Sequence, residues 1–223
     1  RQYLLDTLAR DKTEDDFGHH ILPHAIANDN VFAYPFYGYW RDVGTIQAYW
    51  EANMDLLKQD GAISPEKWQI RTNVESEYRT ADRPAARYGS HARVQNSWIS
   101  AGCTIQGTVL NSVLSPGVVV EEGAYIKDSI LFRDCVVERG AEVDLVISDK
   151  ATRFGQNTIV GTGDHHDIVN RLHPKHLYTG ITLVGESAQV PEGMKVGRNC
   201  IIKCNAREDE FTIPVLQDGE SLT

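Results

Sequence analysis

Three things are scarce in this sequence, and each scarcity excludes something. Cysteine is sparse: 223 residues hold four, Cys103, Cys135, Cys200 and Cys204. Four thiols make no dense disulfide framework, so a reducing compartment is the simpler reading and the cytoplasm the expected location. Cys200 and Cys204 lack a second ligand pair at zinc spacing and read as small core or surface residues. Long apolar runs are missing too. None reaches the ~18–20 residues a membrane span needs, and the stretch from Arg1 to Asp6 has no apolar core of the signal-peptide kind. Positive charge is also short, with 22 Lys and Arg against 31 Asp and Glu, a formal net charge of −9. That balance argues against nucleic acid or an anionic membrane as partner, while leaving room for a local basic pocket.

What remains is ordinary globular material, 41% hydrophobic and 24% charged, long enough for one or two domains with real cores. The clearest pattern lies in the second half. Gly102-Cys103-Thr104-Ile105, Gly117-Val118-Val119-Val120, Gly123-Ala124-Tyr125-Ile126 and Gly140-Ala141-Glu142-Val143 each set an aliphatic residue three after a glycine. A longer repeat overlays this, with blocks starting at Asn111, Asp128 and Asp144. A period of six with aliphatic and small residues is the signature of a hexapeptide β-helix, whose coils bury their apolar faces only by stacking on one another. The pattern predicts a left-handed β-helix over 90–223, with an inserted loop near 164–178 rich in histidine. The repeat weakens at Ala151 to Gly155, where Thr152 and Arg153 stand in place of small and aliphatic residues. Val74 to Gly89 is polar and aperiodic, and 76–89 reads as a linker.

The first 75 residues read as mixed α and β. Residues 1–11 predict a helix. Val31 to Tyr39 is rich in strand formers, with Pro35 pointing to an edge strand or two short ones. Thr45 suits the cap of a helix from Ile46 to Lys58, whose Ile46, Tyr49, Trp50, Asn53, Met54 and Leu57 share a face. Between strand and helix lies Tyr39-Trp40-Arg41-Asp42-Val43-Gly44-Thr45. A carboxylate at a strand end can bind a hard cation such as Mg²⁺ alongside substrate phosphates. On spacing alone, an ordinary turn Asp before a glycine is the commoner reading.

The wording of three stretches adds to this. Gly38 to Thr45 with Ala48-Tyr49-Trp50 and Ala52-Asn53, Asp16-Phe17-Gly18 with Ile21-Leu22-Pro23, and Trp68-Gln69-Ile70-Arg71-Thr72 together resemble the glucose-1-phosphate adenylyltransferases, also called ADP-glucose pyrophosphorylases. The resemblance runs in family order over nearly the whole chain. It implies that residues 1–75 are the C-terminal remnant of an α/β nucleotidyltransferase domain ahead of a mainly β domain. It implies ATP and glucose 1-phosphate as substrates, ADP-glucose and pyrophosphate as products, and a place in glycogen biosynthesis. By the same resemblance Asp42 is a catalytic Mg²⁺ ligand, and Asp16, Phe17 and Trp40 shape the glucose 1-phosphate pocket. His19 and His20 replace residues usually Lys and Asp. The β-helix would mediate a homotetramer and carry part of an allosteric site. Tyr178 stands where some relatives have an effector-binding Lys. The family's Gly-rich nucleotide loop and sugar-phosphate Lys have no counterpart here, which implies a C-terminal half that is inactive alone.

Rival readings account for less. A non-catalytic regulatory subunit would keep the architecture and lose the catalytic residues, yet Asp16, Phe17, Trp40 and Asp42 are all present. Hexapeptide acyltransferases use a His between coils as general base, for which His91 and His165 are the candidates. Hexapeptide carbonic anhydrases hold zinc with three His, a spread that His165, His166, His173 and His176 do not reproduce. Neither enzyme class explains residues 16–72.

Overall fold

A strand only two or three residues long has too little surface to be stable alone, so it must find its neighbours one coil away. The computed structural model, which describes residues 16–58, 63, 83–161, 163 and 167–223, is built on that principle. Among the described residues, twenty short strands form three parallel sheets of six, seven and seven strands. Successive strands of one sheet come from successive coils, so the three sheets are the faces of a parallel β-helix. Each inward position stacks on its equivalents. Ile105, Val120, Val137, Phe154 and Val190 form one column of the first sheet, and all are fully buried. Val109, Ile126, Val143, Val160 and Val196 form the column of the second. The hexapeptide reading is borne out at the aliphatic positions that carried it. The first strand, Arg87–Tyr88, begins inside the stretch read as a linker.

Two details differ from the sequence reading. The pattern does not lapse at Ala151–Gly155: Arg153–Phe154 is a strand paired on both sides. Thr152 is buried but satisfied, its hydroxyl donating to the carbonyls of Asp149 (2.9 Å) and Gly185 (3.2 Å). Arg153 faces outward to Glu138. The second concerns register. Ser112, Ser129 and Val146 occupy equivalent positions, each 17 residues from the last. Leu145, at φ 56, therefore takes the left-handed corner that Asn111 and Asp128 hold at φ 45 and 49. The third block starts one residue later than its Asp144 suggests. Asp144 is drawn instead to Arg198, whose Nη2 lies 2.9 Å from Oδ2.

The hydroxyls of Ser97, Ser112 and Ser129 each accept the amide of the next coil at 3.1 Å. Buried polar groups are thus paired along the corner. The insertion leaves after Val160 and returns at Thr182–Val184; its described part holds no strand. Its root is pinned. Asn170 and Asn199 are buried; Asn170 Nδ2 donates to Asn199 O (2.8 Å), and Asn199 Nδ2 to Ile168 O (2.8 Å). Arg198, 6% exposed, donates to Gly163 O (3.0 Å) and Asp144 O (2.9 Å). The tail supplies the last strands of two sheets, Val215–Leu216 and Ser221–Leu222.

The chain divides into two compact units, 1–38 and 39–223. The first holds α1 (Leu22–Asn28), entered through a wide helical turn at Phe17–Ile21. The second holds α2 (Ile46–Asp55) and the β-helix. Thr45 caps α2 as expected, accepting from the Ala48 amide at 3.1 Å. Trp50 Nε1 donates to the Asp128 carbonyl (2.8 Å), and the Tyr49 ring lies 6.5 Å from Phe132. The stripe on α2 therefore packs on the β-helix. The predicted strand over Val31–Tyr39 does not form: those residues pair with no strand, and most are exposed. Strand-forming side chains set a preference; a strand needs a partner, and none of the described residues supplies one. The expected helix at 1–11 and the Trp68–Thr72 stretch lie outside the described residues.

Candidate functional site

The proposed site residues fall in both units. In the first, Asp16 caps the turn that follows it. Its Oδ1 accepts from the His19 amide at 2.7 Å, and the His19 ring is 3.2 Å away. The His19 amide, and then its ring, hold the Asp16 carboxyl below the usual carboxylate range. Phe17 is 57% exposed. This stretch is helical because Asp16 satisfies a free amide at the start and Pro23 sits in the first turn of α1.

In the second unit, the side chains from Tyr39 to Asp42 divide by position. Tyr39 and Arg41 turn to α2. The Tyr39 hydroxyl donates to Asp55 Oδ2 (2.9 Å) and Arg41 Nη2 pairs with the same oxygen (2.8 Å). Arg41 Nη1 donates to Glu51 Oε2 (2.5 Å), and Lys58 Nζ reaches Asp55 Oδ1 (2.6 Å). Asp55 is 6% exposed. Burial alone would raise its carboxyl; the bonds from Lys58 and Tyr39 and the charge of Arg41 outweigh that and hold it low. Trp40 and Asp42 alternate with this pair. Trp40 is 76% exposed, and Asp42 is exposed as well.

Asp42 does not end a strand. It closes a small turn, with Oδ1 accepting from the Gly44 amide at 3.2 Å. That long bond leaves most of the carboxylate's lone-pair capacity free, so it fits one ligand position of a hard cation. The described residues contain no cluster of three or more His, Cys, Asp or Glu able to hold a metal. The remaining ligands would have to be substrate, water or residues outside those described.

The rival candidates gain little from the geometry. His91 is largely exposed, 3.6 Å from Glu122 Oε1, and His165 and His166 lie outside the described residues. What sequence reading missed is the Tyr39–Arg41–Asp55–Glu51 cluster. Its only signal was the alternation of Tyr39 and Arg41 one helix away from two acids.

Comparison with known proteins adds relatives. A family model described as nucleotidyl transferase matches residues 2–59, and one described as GlmU-like, C-terminal hexapeptide matches 83–184. Glucose-1-phosphate adenylyltransferase of Acetivibrio thermocellus is 38% identical over all of this chain and 51% of the relative's length. That of Thermomicrobium roseum is 42% identical over all of this chain and 52% of its own. The chain is similar over its whole length to glucose-1-phosphate adenylyltransferases. A third, from Thermosipho melanesiensis, is 34% identical over 91% of the chain and 48% of its own length. The chain thus spans about half the length of the curated adenylyltransferases it matches.

Proposed function

We propose that this chain is part of an enzyme making ADP-glucose and pyrophosphate from ATP and glucose 1-phosphate, in cytoplasmic glycogen biosynthesis. The observation that carries this reading is the end-to-end match to adenylyltransferases with Trp40 and Asp42 both held outward. A phosphate oxygen of glucose 1-phosphate attacks the α-phosphorus of ATP, and pyrophosphate leaves with the broken bond's electrons. Mg²⁺, when bound, neutralises charge on the phosphates. Asp42 would be the residue of this chain that holds the cation. Trp40 offers an aromatic face to the sugar; in the first unit, Asp16 and Phe17 are the candidates for contact with glucose 1-phosphate. The presence of all four side chains favours a catalytic protein over a regulatory subunit.

Asp42→Asn in the full-length protein tests this. Losing one well-placed electrostatic group costs roughly 2.7–4 kcal/mol of transition-state stabilisation, so turnover should fall about 100-fold or more with the melting temperature unchanged. A lowered melting temperature with normal turnover would return Asp42 to an ordinary turn residue. The chain 1–223 alone should release no pyrophosphate.

Assembly as a homotetramer through the β-helix is part of the same proposal. On the outer face of the third sheet, Val113 and Ile130 are buried, where α2 packs. Farther along that face Ile147, Leu183 and Ile201 remain partly exposed, beside Phe132, in a shallow depression. Sedimentation of the full-length protein at micromolar concentration should show association, and a clean monomer refutes this role.

A further inference from the structure

The backbone from Tyr39 to Val43 joins no strand among the described residues, yet it carries the two side chains on which the proposed chemistry turns. Side chains tether it to α2. Tyr39 and Arg41 bracket Trp40, and Arg41 adjoins Asp42. Both converge on one oxygen of Asp55, at 2.9 and 2.8 Å. The other Asp55 oxygen is held by Lys58 at 2.6 Å. Arg41 has a second anchor in Glu51, which Gln47 steadies at 2.9 Å. Asp55 is thus a buried carboxylate filled by three donors, on a helix that is itself fixed to the β-helix through Trp50.

Burial alternates along this stretch: Tyr39 and Arg41 are partly buried, whereas Trp40 and Asp42 are exposed. Locking positions 39 and 41 onto the helix therefore sets the direction of positions 40 and 42. We infer that Asp55 is a positioning residue, which through Tyr39 and Arg41 aims Trp40 at the sugar phosphate and Asp42 at the metal. This rests on the assignment of Asp42 made above. A purely structural Asp55 would stabilise α2 without affecting what Asp42 and Trp40 do. Groups that orient a metal ligand from behind change metal affinity by 10–100-fold when removed; Asp55 acts on Asp42 one step further back, through Arg41, the residue next to it in the chain.

The experiment uses the full-length protein with Asp55→Asn, Tyr39→Phe and Asp42→Asn. Melting temperature, half-saturating Mg²⁺ and the KM for glucose 1-phosphate are measured on each preparation. Asp55→Asn should raise half-saturating Mg²⁺ by about 10-fold and raise the KM, with turnover largely recovered at high Mg²⁺. Tyr39→Phe should shift both the same way by less, at a near-normal melting temperature. If Asp55→Asn fails to fold, Tyr39→Phe carries the same test. A lowered melting temperature with unchanged Mg²⁺ dependence and KM in both variants overturns the positioning role. Normal Mg²⁺ dependence in Asp42→Asn overturns it too, by removing the ligand that is positioned. The two failures are distinct, because only the second alters the reading of Asp42.

Discussion

Gly161 stands where the chain leaves the β-helix for the insertion. Its φ is +81°, and a Cβ built there would lie 1.8 Å from the Asp144 carbonyl oxygen. Gly161→Ala therefore adds two costs. A left-handed backbone costs an alanine roughly 1–2 kcal/mol. The carbonyl must also move, and it is the oxygen to which Arg198 Nη1 donates at 2.9 Å. A hydrogen bond from a charged group is worth about 1.5–3 kcal/mol. Together the loss is roughly 3–5 kcal/mol, or on the order of 10 °C in melting temperature at this chain length. Gly193 isolates the first cost: its φ is +67° and nothing lies within 4 Å of an added Cβ. Gly193→Ala should lose only roughly 1–2 kcal/mol. Thermal unfolding of both variants, followed by circular dichroism, measures the difference. Equal shifts would refute the argument, because the Asp144 carbonyl would then yield without cost.

Two further outcomes follow from buried ionisable groups. Cys103, Cys135 and Cys200 are buried and Cys204 exposed; burial pushes the Cys135 thiol up to about 11 and the Cys200 thiol up to about 12. At pH 8 Ellman's reagent should titrate one thiol per folded chain and four in denaturant, and a second fast thiol refutes the burial. Asp55 is held low in the fold, so on acidification the unfolded chain takes up its proton first. Its contribution is complete above the free carboxylate value of ~3.9 and is lost as pH falls through the lower folded value. The melting temperature of Asp55→Asn should be less sensitive to pH than the parent's between about pH 5 and 3, and parallel profiles contradict this.

The repeat was legible because each of its signals is local. A glycine corner and an aliphatic three residues on identify an inward position without knowledge of the next coil, and Ile105, Val120, Ile126 and Val143 are all fully buried. The Thr45 cap was legible for the same reason. Register at the third block was not, since the pull on Asp144 comes from Arg198, 54 residues away. Tyr39 and Asp55 are separated by 16 residues, so period-two reasoning along 39–42 could find the alternation but not its anchor. Strand-forming residues at 31–39 misled because composition reports a preference and says nothing of pairing. Of the proposed site, Asp42 and Trp40 were named from the resemblance; their outward presentation became visible only with the helix beside them.

The clamp on the insertion also imposes an order in time. Arg198 closes on Gly163 across 35 residues of sequence, and a ribosome adds roughly 5–20 residues per second. Coils up to Val160 can stack as they emerge, whereas the departing end of the insertion has no latch for about 2–7 s. During that interval the growing helix ends at an uncovered rim, and the residues bound for the insertion compete with the next true coil for it. The left-handed corner at Gly161 already turns the chain away from that rim, so the exit angle is set by one residue before its fastener has been made.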